Sequence, residues 1–325
     1  MRGVNGAEFK CTRVKARAYC SSANLGTGFD IIAVALDAFY DEVELEIHSG
    51  LGSVKLKSVE GPYASSVLEP NTAVEALKTI VEDLSLPVDI SVKLWKGVPV
   101  GYGLGSSGAS AVAAVRALID ALGLEVSVEK AIEYAGLGEK ASAGEPHYDN
   151  VAASMLGGLV ILHSNKPPIK VSKIRTDAVF VVGVPLIKVP PRKTELMRSI
   201  LPKTIDLRTH VSASAKLAAL LLGLIEKSWD LVALGTEDEI VEPARSKYIP
   251  CYFKVKEYAK KVGAVNTVIS GAGPSLLSIV DNASRAKIVA EAMAKAYKEN
   301  GIESLIKITR PAHGAKVIEL EVMRY

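Results

Sequence analysis

Apolar and polar positions alternate with period two at residues 14–19, 42–48 and 88–94, the spacing of half-buried strands. Asn71-Thr72-Ala73 reads as a helix start opening residues 74–84. Residues 110–122 are rich in Ala, Val and Leu on most sides of a helix, which predicts a buried one. Residues 128–136 give a helix of mixed polarity, and 151–162 begin helical and end in the strand-like Gly157-Gly158-Leu159-Val160-Ile161-Leu162. A composition break follows at Asn165-Lys166-Pro167-Pro168. Beyond it lie a buried-type strand at 178–184, an almost continuously apolar helix at 212–225, and strands at 265–270 and 276–280 around Gly271-Ala272-Gly273-Pro274. An amphipathic helix at 283–300 and strands at 305–308 and 315–322 close the chain. Helices and strands mix without strict βαβα alternation, so the expected class is α+β, in two domains over 1–165 and 166–325.

Composition narrows the setting more than the activity. The 325 residues are 49% hydrophobic and 23% charged, as in a soluble globular protein. A net charge of +3, evenly spread, gives no basis for a nucleic-acid or membrane-surface partner. The opening MRGVNGAEFKC lacks the apolar stretch of a signal peptide, and no uninterrupted apolar run reaches membrane-spanning length. Cys11, Cys20 and Cys251 form neither a C-x-x-C pair nor a disulfide framework, so a reduced, cytoplasmic setting is expected. The absence of glutamine beside abundant Lys and Glu is consistent with a hot environment.

The chemistry concentrates in GVPVGYGLGSSGAS, residues 97–110. Its Gly103-Leu104-Gly105-Ser106-Ser107-Gly108 matches G-x-G-x-x-G, yet a helix around Glu129–Tyr134 follows where a dinucleotide site needs a second strand ending in an acid. No Lys precedes Ser106 or Ser107, so it is no Walker A loop, and the partner motifs of protein kinases are missing. Glycines before a helix N-terminus still suit an anion, because free N–H groups and the positive dipole end point at it. Ser106, Ser107 and Ser110 offer hydroxyls to phosphate oxygens or hydrated Mg²⁺. Taken alone, the loop reads equally well as a closely packed helix start capped by serine.

Two further stretches decide between these readings. Pro99-Val100-Gly101-Tyr102-Gly103-Leu104-Gly105-Ser106-Ser107 resembles the P-x-G-x-G-L-G-S-S loop of the GHMP kinases, the superfamily of galactokinase, homoserine kinase, mevalonate kinase and phosphomevalonate kinase. Ser21-Ser22-Ala23-Asn24-Leu25-Gly26-Thr27-Gly28-Phe29-Asp30 resembles its first motif in the homoserine kinase form, and Ser270-Gly271-Ala272-Gly273-Pro274-Ser275 its third. Three motifs in order cover nearly the whole chain. The resemblance implies a ribosomal-protein-like N-terminal fold, a ferredoxin-like C-terminal fold, and an active site in the cleft between them.

It also implies roles. ATP would lie along Pro99, Val100, Gly101, Tyr102, Gly103, Leu104, Gly105, Ser106, Ser107, Gly108 and Ala109, with Mg²⁺ on Ser107 and Glu139. His147-Tyr148-Asp149-Asn150 resembles the family's H-P-D-N, Thr194 to Arg198 its T-x-x-x-R, and Arg245 its arginine before I-P-G. By that resemblance the acceptor is L-homoserine. Arg198 and Arg245 would hold its carboxylate, Asp30 its ammonium and Asn24 its hydroxyl. His147 and Asn150 would line the pocket, with Thr194 at its edge or near the γ-phosphate. No general base is assigned, and a homodimer is in keeping with the family.

Each residue alone has an ordinary reading: Glu139 a solvated helix-end carboxylate, His147 a packing histidine, the arginines surface charges, Asp30 and Asn24 turn chemistry. The sequence also departs from the family at Gly108 (usually alanine), Tyr148 (proline), Cys251 (glycine) and Ala33 (glycine). Rival functions are a sibling kinase acting on mevalonate or shikimate, neither of which needs an anion at Asp30, and a non-catalytic sensor of a small ligand.

Overall fold

The computed structural model describes residues 11–67, 69–190 and 192–323. The stretch inspected for a leader lies mostly outside them. Cys11–Asn24 (β1) and Gly28–Ser49 (β2) form a long antiparallel hairpin. Alternation places Val14, Ala16 and Ala18 on one fully buried face of β1, and a register shift between Tyr19 and Cys20 bends the hairpin. The bend lets β2 serve two partners. Its end, from Glu42 to Ser49, pairs with Val88–Trp95 (β4), beside which Val54–Glu60 (β3) runs parallel. Its start, from Ile32 to Val34, pairs with Leu159–Ser164 (β5).

Four helices cover this sheet: Thr72–Asp83 (α1), Ser106–Leu122 (α2), Val128–Ala143 (α3) and Tyr148–Leu156 (α4). Asn71 caps α1, accepting from the Ala73 and Val74 amides, at the start expected from sequence. α2 is buried along most of its length, as its apolar circumference predicts. Its Val112, Val115 and Leu118 share one core with Leu45 and Ile47 of β2 and Leu77 and Ile80 of α1.

Lys170–Ile174 (β6) pairs with β5, and Val179–Pro185 (β7) opens a second sheet. That sheet is completed by Asn266–Ile269 (β8), Leu276–Val280 (β9) and Ser304–Thr309 (β10), in the order β10-β7-β9-β8, all antiparallel. With Tyr252–Lys261 (α9) and Ala283–Lys298 (α10) packed on it, this is the βαββαβ order of a ferredoxin-like fold. The last strand, Lys316–Met323 (β11), returns to the first sheet beside β1. The break at Asn165 to Pro168 therefore falls in the loop between two strands of the first sheet, and the chain's end completes the first domain. The two sheets share an apolar seam in which Leu25, Ile32 and Val34 meet Phe180, Val182 and Leu277.

Between β7 and β8 lie Lys193–Ser199 (α5), Leu207–Glu226 (α6), Trp229–Gly235 (α7) and Val241–Arg245 (α8). By length and composition α6 is apolar enough to cross a membrane. Here it lies on the protein surface, with Leu220, Gly223 and Leu224 turned inward and Leu207, Val211 and Ile225 exposed. Its apolar sequence does not translate into burial. The three cysteines are unpaired.

Candidate active site

The three glycine-bearing loops converge where the sheets meet. The β1–β2 turn, the β4–α2 loop and the β8–β9 turn are stitched by main-chain bonds: the Ser21 amide to the Leu104 carbonyl (3.1 Å), Gly271 to Ala23 (3.2 Å) and Ser275 to Tyr102 (3.2 Å). The Ser270 hydroxyl adds contacts of 2.8 Å to the Ser22 hydroxyl and the Gly103 carbonyl. Glycine is required at this junction. A Cβ on Gly103 would lie 2.1 Å from the Ser270 carbonyl oxygen, and one on Gly105 2.1 Å from the Ser21 hydroxyl. Both glycines also have φ in the left-handed region, where a side chain is strained.

Gly105 caps α2 with no side chain, and in the first turn the Gly108 amide is met by the Glu139 carboxylate. The three serines offered to phosphate diverge. The Ser106 hydroxyl donates to the Val98 carbonyl (2.9 Å) and the Ser110 hydroxyl to Asp41 (2.7 Å), so both turn inward. The Ser107 hydroxyl has no protein partner among the described residues. Ser106 can therefore serve phosphate through its amide, and Ser107 through its hydroxyl as well. Leu104 and Ala109 are buried in the seam and support the loop by packing.

Beneath the loop sits a buried ion pair. The Lys96 ammonium reaches Asp41 (2.5 Å), the Ser106 carbonyl (2.6 Å) and the Ser110 hydroxyl (2.6 Å). The other Asp41 oxygen accepts from the Gly97 and Val98 amides at 2.9 Å each. Strand β2, strand β4 and helix α2 are thus locked around the phosphate-type loop.

On the other side of Gly271 lies a cationic pocket. The Gly271 carbonyl accepts from the Asn24 amide (3.1 Å) and from Arg245 (3.0 Å). Arg245 is 3% exposed and also donates to the Met197 carbonyl, so its partners are main-chain oxygens. Burial and then the Arg198 charge pull it down to about 10. Arg198 instead grips Asp30 with two bonds of 2.9 and 3.1 Å and meets Glu145 at 3.2 Å. The Phe29 ring lies between the guanidiniums, 5.4 Å from Arg198 and 5.3 Å from Arg245. Asn24 and Asp30 both have positive φ, and the Asn24 side-chain oxygen Oδ1 accepts from the Asp30 main-chain amide at 3.3 Å. Asn24, Arg245 and Gly271 also line a small cavity closed behind by Asp238 and Glu242.

Glu139 joins the loop to the pocket. It is 3% exposed, accepts from the His147 amide at 3.0 Å, and would lie 3.3 Å from a Cβ on Gly108. The family's usual alanine would press on this carboxylate. Burial pushes Glu139 up to about 8. The His147 ring lies 3.8 Å from the same oxygen, but burial and then the Arg198 charge lower its proton affinity, so the pair is not ionic. Asn150 accepts from the Ser21 hydroxyl at 2.9 Å, at the mouth of the phosphate-type loop. Thr194 is half-buried in the first turn of α5.

The GHMP kinases N terminal domain model matches residues 71–158 and the GHMP kinases C terminal model residues 217–299. A homoserine kinase of Aeropyrum pernix is 43% identical over 95% of this chain and 99% of its own length. One of Pyrobaculum islandicum is 42% identical over 92% and 98%. The chain belongs to the GHMP kinases, in their homoserine kinase family. The crystal structure of homoserine kinase from Cytophaga hutchinsonii superposes with a TM-score of 0.87 at 32% identity, covering 94% of this chain and 97% of that one. L. major mevalonate kinase in complex with R-mevalonate shares the fold, with a TM-score of 0.66 at 15% identity over 92% and 97%. As a GHMP kinase the chain is an ATP-dependent small-molecule kinase.

Sequence reasoning about this GHMP kinase missed several side chains. Asp41 lies in β2 and Lys96 just past the end of β4, where a lysine reads as solvated, and only the fold turns them inward. Asp149, to which the motif gives no role, is 3% exposed, and burial with the Asp30 charge pushes it up to about 7. Lys193, one residue before the T-x-x-x-R stretch, is buried as well. The departure at Cys251 is legible: with φ +58° it holds the left-handed cap of α9 that a glycine would take without strain.

Proposed function

We propose that this chain transfers the γ-phosphoryl group of ATP to the side-chain hydroxyl of L-homoserine, giving O-phospho-L-homoserine, a step of threonine biosynthesis. One observation carries the choice of acceptor: Asp30, Arg198 and Arg245 gather around Phe29, within one hydrogen bond of the Asn24 and Gly271 groups that border the phosphate-type loop. An amino acid brings a carboxylate and an ammonium, and this pocket offers both complementary signs. Among the described residues Arg245 has no carboxylate partner, so it is the readier receptor for the substrate carboxylate. The ammonium would take up Asp30, and Arg198 would turn from Asp30 toward the carboxylate.

Asn24 cannot titrate. Its amide is fixed by Gly271 and by the Asp30 amide, so it orients the acceptor hydroxyl and takes no proton. Phosphoryl transfer asks for positioning and charge stabilisation above all, and the α2 N-terminus with its amides and dipole supplies both. Ser107 and Glu139 fit a magnesium ion held partly by the nucleotide: one hydroxyl, one buried carboxylate held protonated until a cation arrives, and no cluster of three acidic, His or Cys groups among the described residues. Such an ion supplies neutralisation of the β- and γ-phosphate charge.

The test is a phosphorylation assay with ATP over homoserine, mevalonate, shikimate and 4-hydroxybutyrate. Homoserine should be preferred in kcat/KM by at least tenfold. Preference for mevalonate or shikimate would reassign the acceptor and leave the kinase assignment standing.

A further inference from the structure

Lys193, at the start of α5, is 5% exposed, and its ammonium donates to the Gly273 carbonyl in the third motif. The other lysine buried among the described residues, Lys96, carries its counter-ion Asp41 with it. Among the described residues Lys193 has none: the charge acting on it is a second cation, Arg245. Two buried cations therefore stand close together, bonded only to the main-chain carbonyls of Gly271, Gly273 and Met197. Burying like charge without an anion is costly, and proteins sustain it where a ligand supplies the anion.

The position says which anion. A Cβ on Gly103 would lie 2.8 Å from both the nitrogen and the oxygen of Gly273, so the carbonyl holding Lys193 abuts the phosphate-type loop itself. The acceptor pocket is on the Gly271 side of the same turn, where Arg245 and Asn24 already meet. An ammonium has three donors, of which Gly273 occupies one and two remain.

We propose that Lys193 binds the γ-phosphoryl group of ATP, its ammonium donating to non-bridging oxygens while it keeps its bond to Gly273. During transfer the acceptor oxygen bonds phosphorus, the bond to ADP breaks with its electron pair going to ADP, and the hydroxyl proton passes to water. The non-bridging oxygens stay charged throughout, and Lys193 stays with them. This rests on ATP as donor and is independent of which alcohol accepts.

The experiment is calorimetric titration of ADP and of AMP-PNP, each with magnesium, into wild type, Lys193→Met, Lys193→Gln and Lys193→Arg, without acceptor. Both uncharged variants should weaken AMP-PNP tenfold or more and ADP less than twofold, and Lys193→Arg should recover part of the loss. A ratio of AMP-PNP to ADP affinity equal to wild type in either folded uncharged variant overturns the proposal. So does a rise in homoserine KM with that ratio unchanged, which would place Lys193 in the acceptor pocket instead.

Discussion

Asp30 and Arg198 are bound to each other through two parallel hydrogen bonds of 2.9 and 3.1 Å. The family resemblance gives them opposite ends of the substrate, ammonium and carboxylate. Both statements hold if the internal pair stands in for an absent zwitterion: an amino acid exchanges one ion pair for two. An acceptor without an ammonium must bind with the pair intact. Asp30→Asn should therefore raise the homoserine KM about thirtyfold, the equivalent of about 2 kcal/mol. The KM for 4-hydroxybutyrate should change little or fall, since Arg198 is freed for its carboxylate. Equal losses for both acceptors would mean that Asp30 does not read the ammonium.

Glu139, in α3, turns a buried carboxylate toward the start of α2, and the metal reading depends on its charge. Glu139→Gln keeps an oxygen for the His147 amide, and so should leave far-ultraviolet dichroism unchanged. Turnover should fall by about two orders of magnitude, and half-maximal activity should need much more magnesium. Near-normal turnover at ordinary magnesium would remove Glu139 from the metal site.

The Lys96–Asp41 pair braces the loop from below. Removing one partner of a buried pair leaves a stranded charge and typically costs ~3–5 kcal/mol. Lys96→Met should show that loss in denaturant unfolding, together with weaker ATP binding. Adding Asp41→Asn should recover part of the stability, because the amide oxygen still accepts from the Gly97 and Val98 amides while the stranded charge is gone. If the double variant is less stable than Lys96→Met alone, the pair is not the source of the cost.

How far the sequence carried these conclusions depends on what each residue needs in order to be seen. Strands such as β4 and the capped start of α1 are local, set by alternation and by Asn71, and were legible. Asn24, Asp30 and the glycine loop stood out through their resemblance to family motifs. The domain boundary was less legible, because β11 pairs with β1 across most of the chain and nothing near residue 166 announces it. The exposed face of α6 was hidden too, since an apolar run reads alike on a surface or in a core. The inward turn of Lys96 and Lys193, and the consumption of the Ser106 and Ser110 hydroxyls, follow only from partners distant in sequence.

The last expectation concerns pH. Asp149, beside Asp30, is held up to about 7, against an ordinary 3.8. Across that window the folded chain keeps a proton that the unfolded chain has released, so stability falls as pH rises. Glu139 acts in the same sense up to about 8 from an ordinary 4.5. Lys193 acts oppositely. Burial and Arg245 hold it down to about 7 against an ordinary 10.5, so above neutrality the unfolded chain is the more protonated and stability rises with pH. The ligand-free protein should thus lose stability from about pH 5 to about 7. Asp149→Asn should flatten that slope by up to one proton's share, about 1.4 kcal/mol per pH unit, and leave the alkaline limb alone. Lys193→Met should do the converse. Unfolding free energies from urea titrations on both sides of neutrality check this. An acid-side slope in Asp149→Asn equal to that of wild type would mean that Asp149 is ionised in the folded protein, paired with a cation that the fold brings to it.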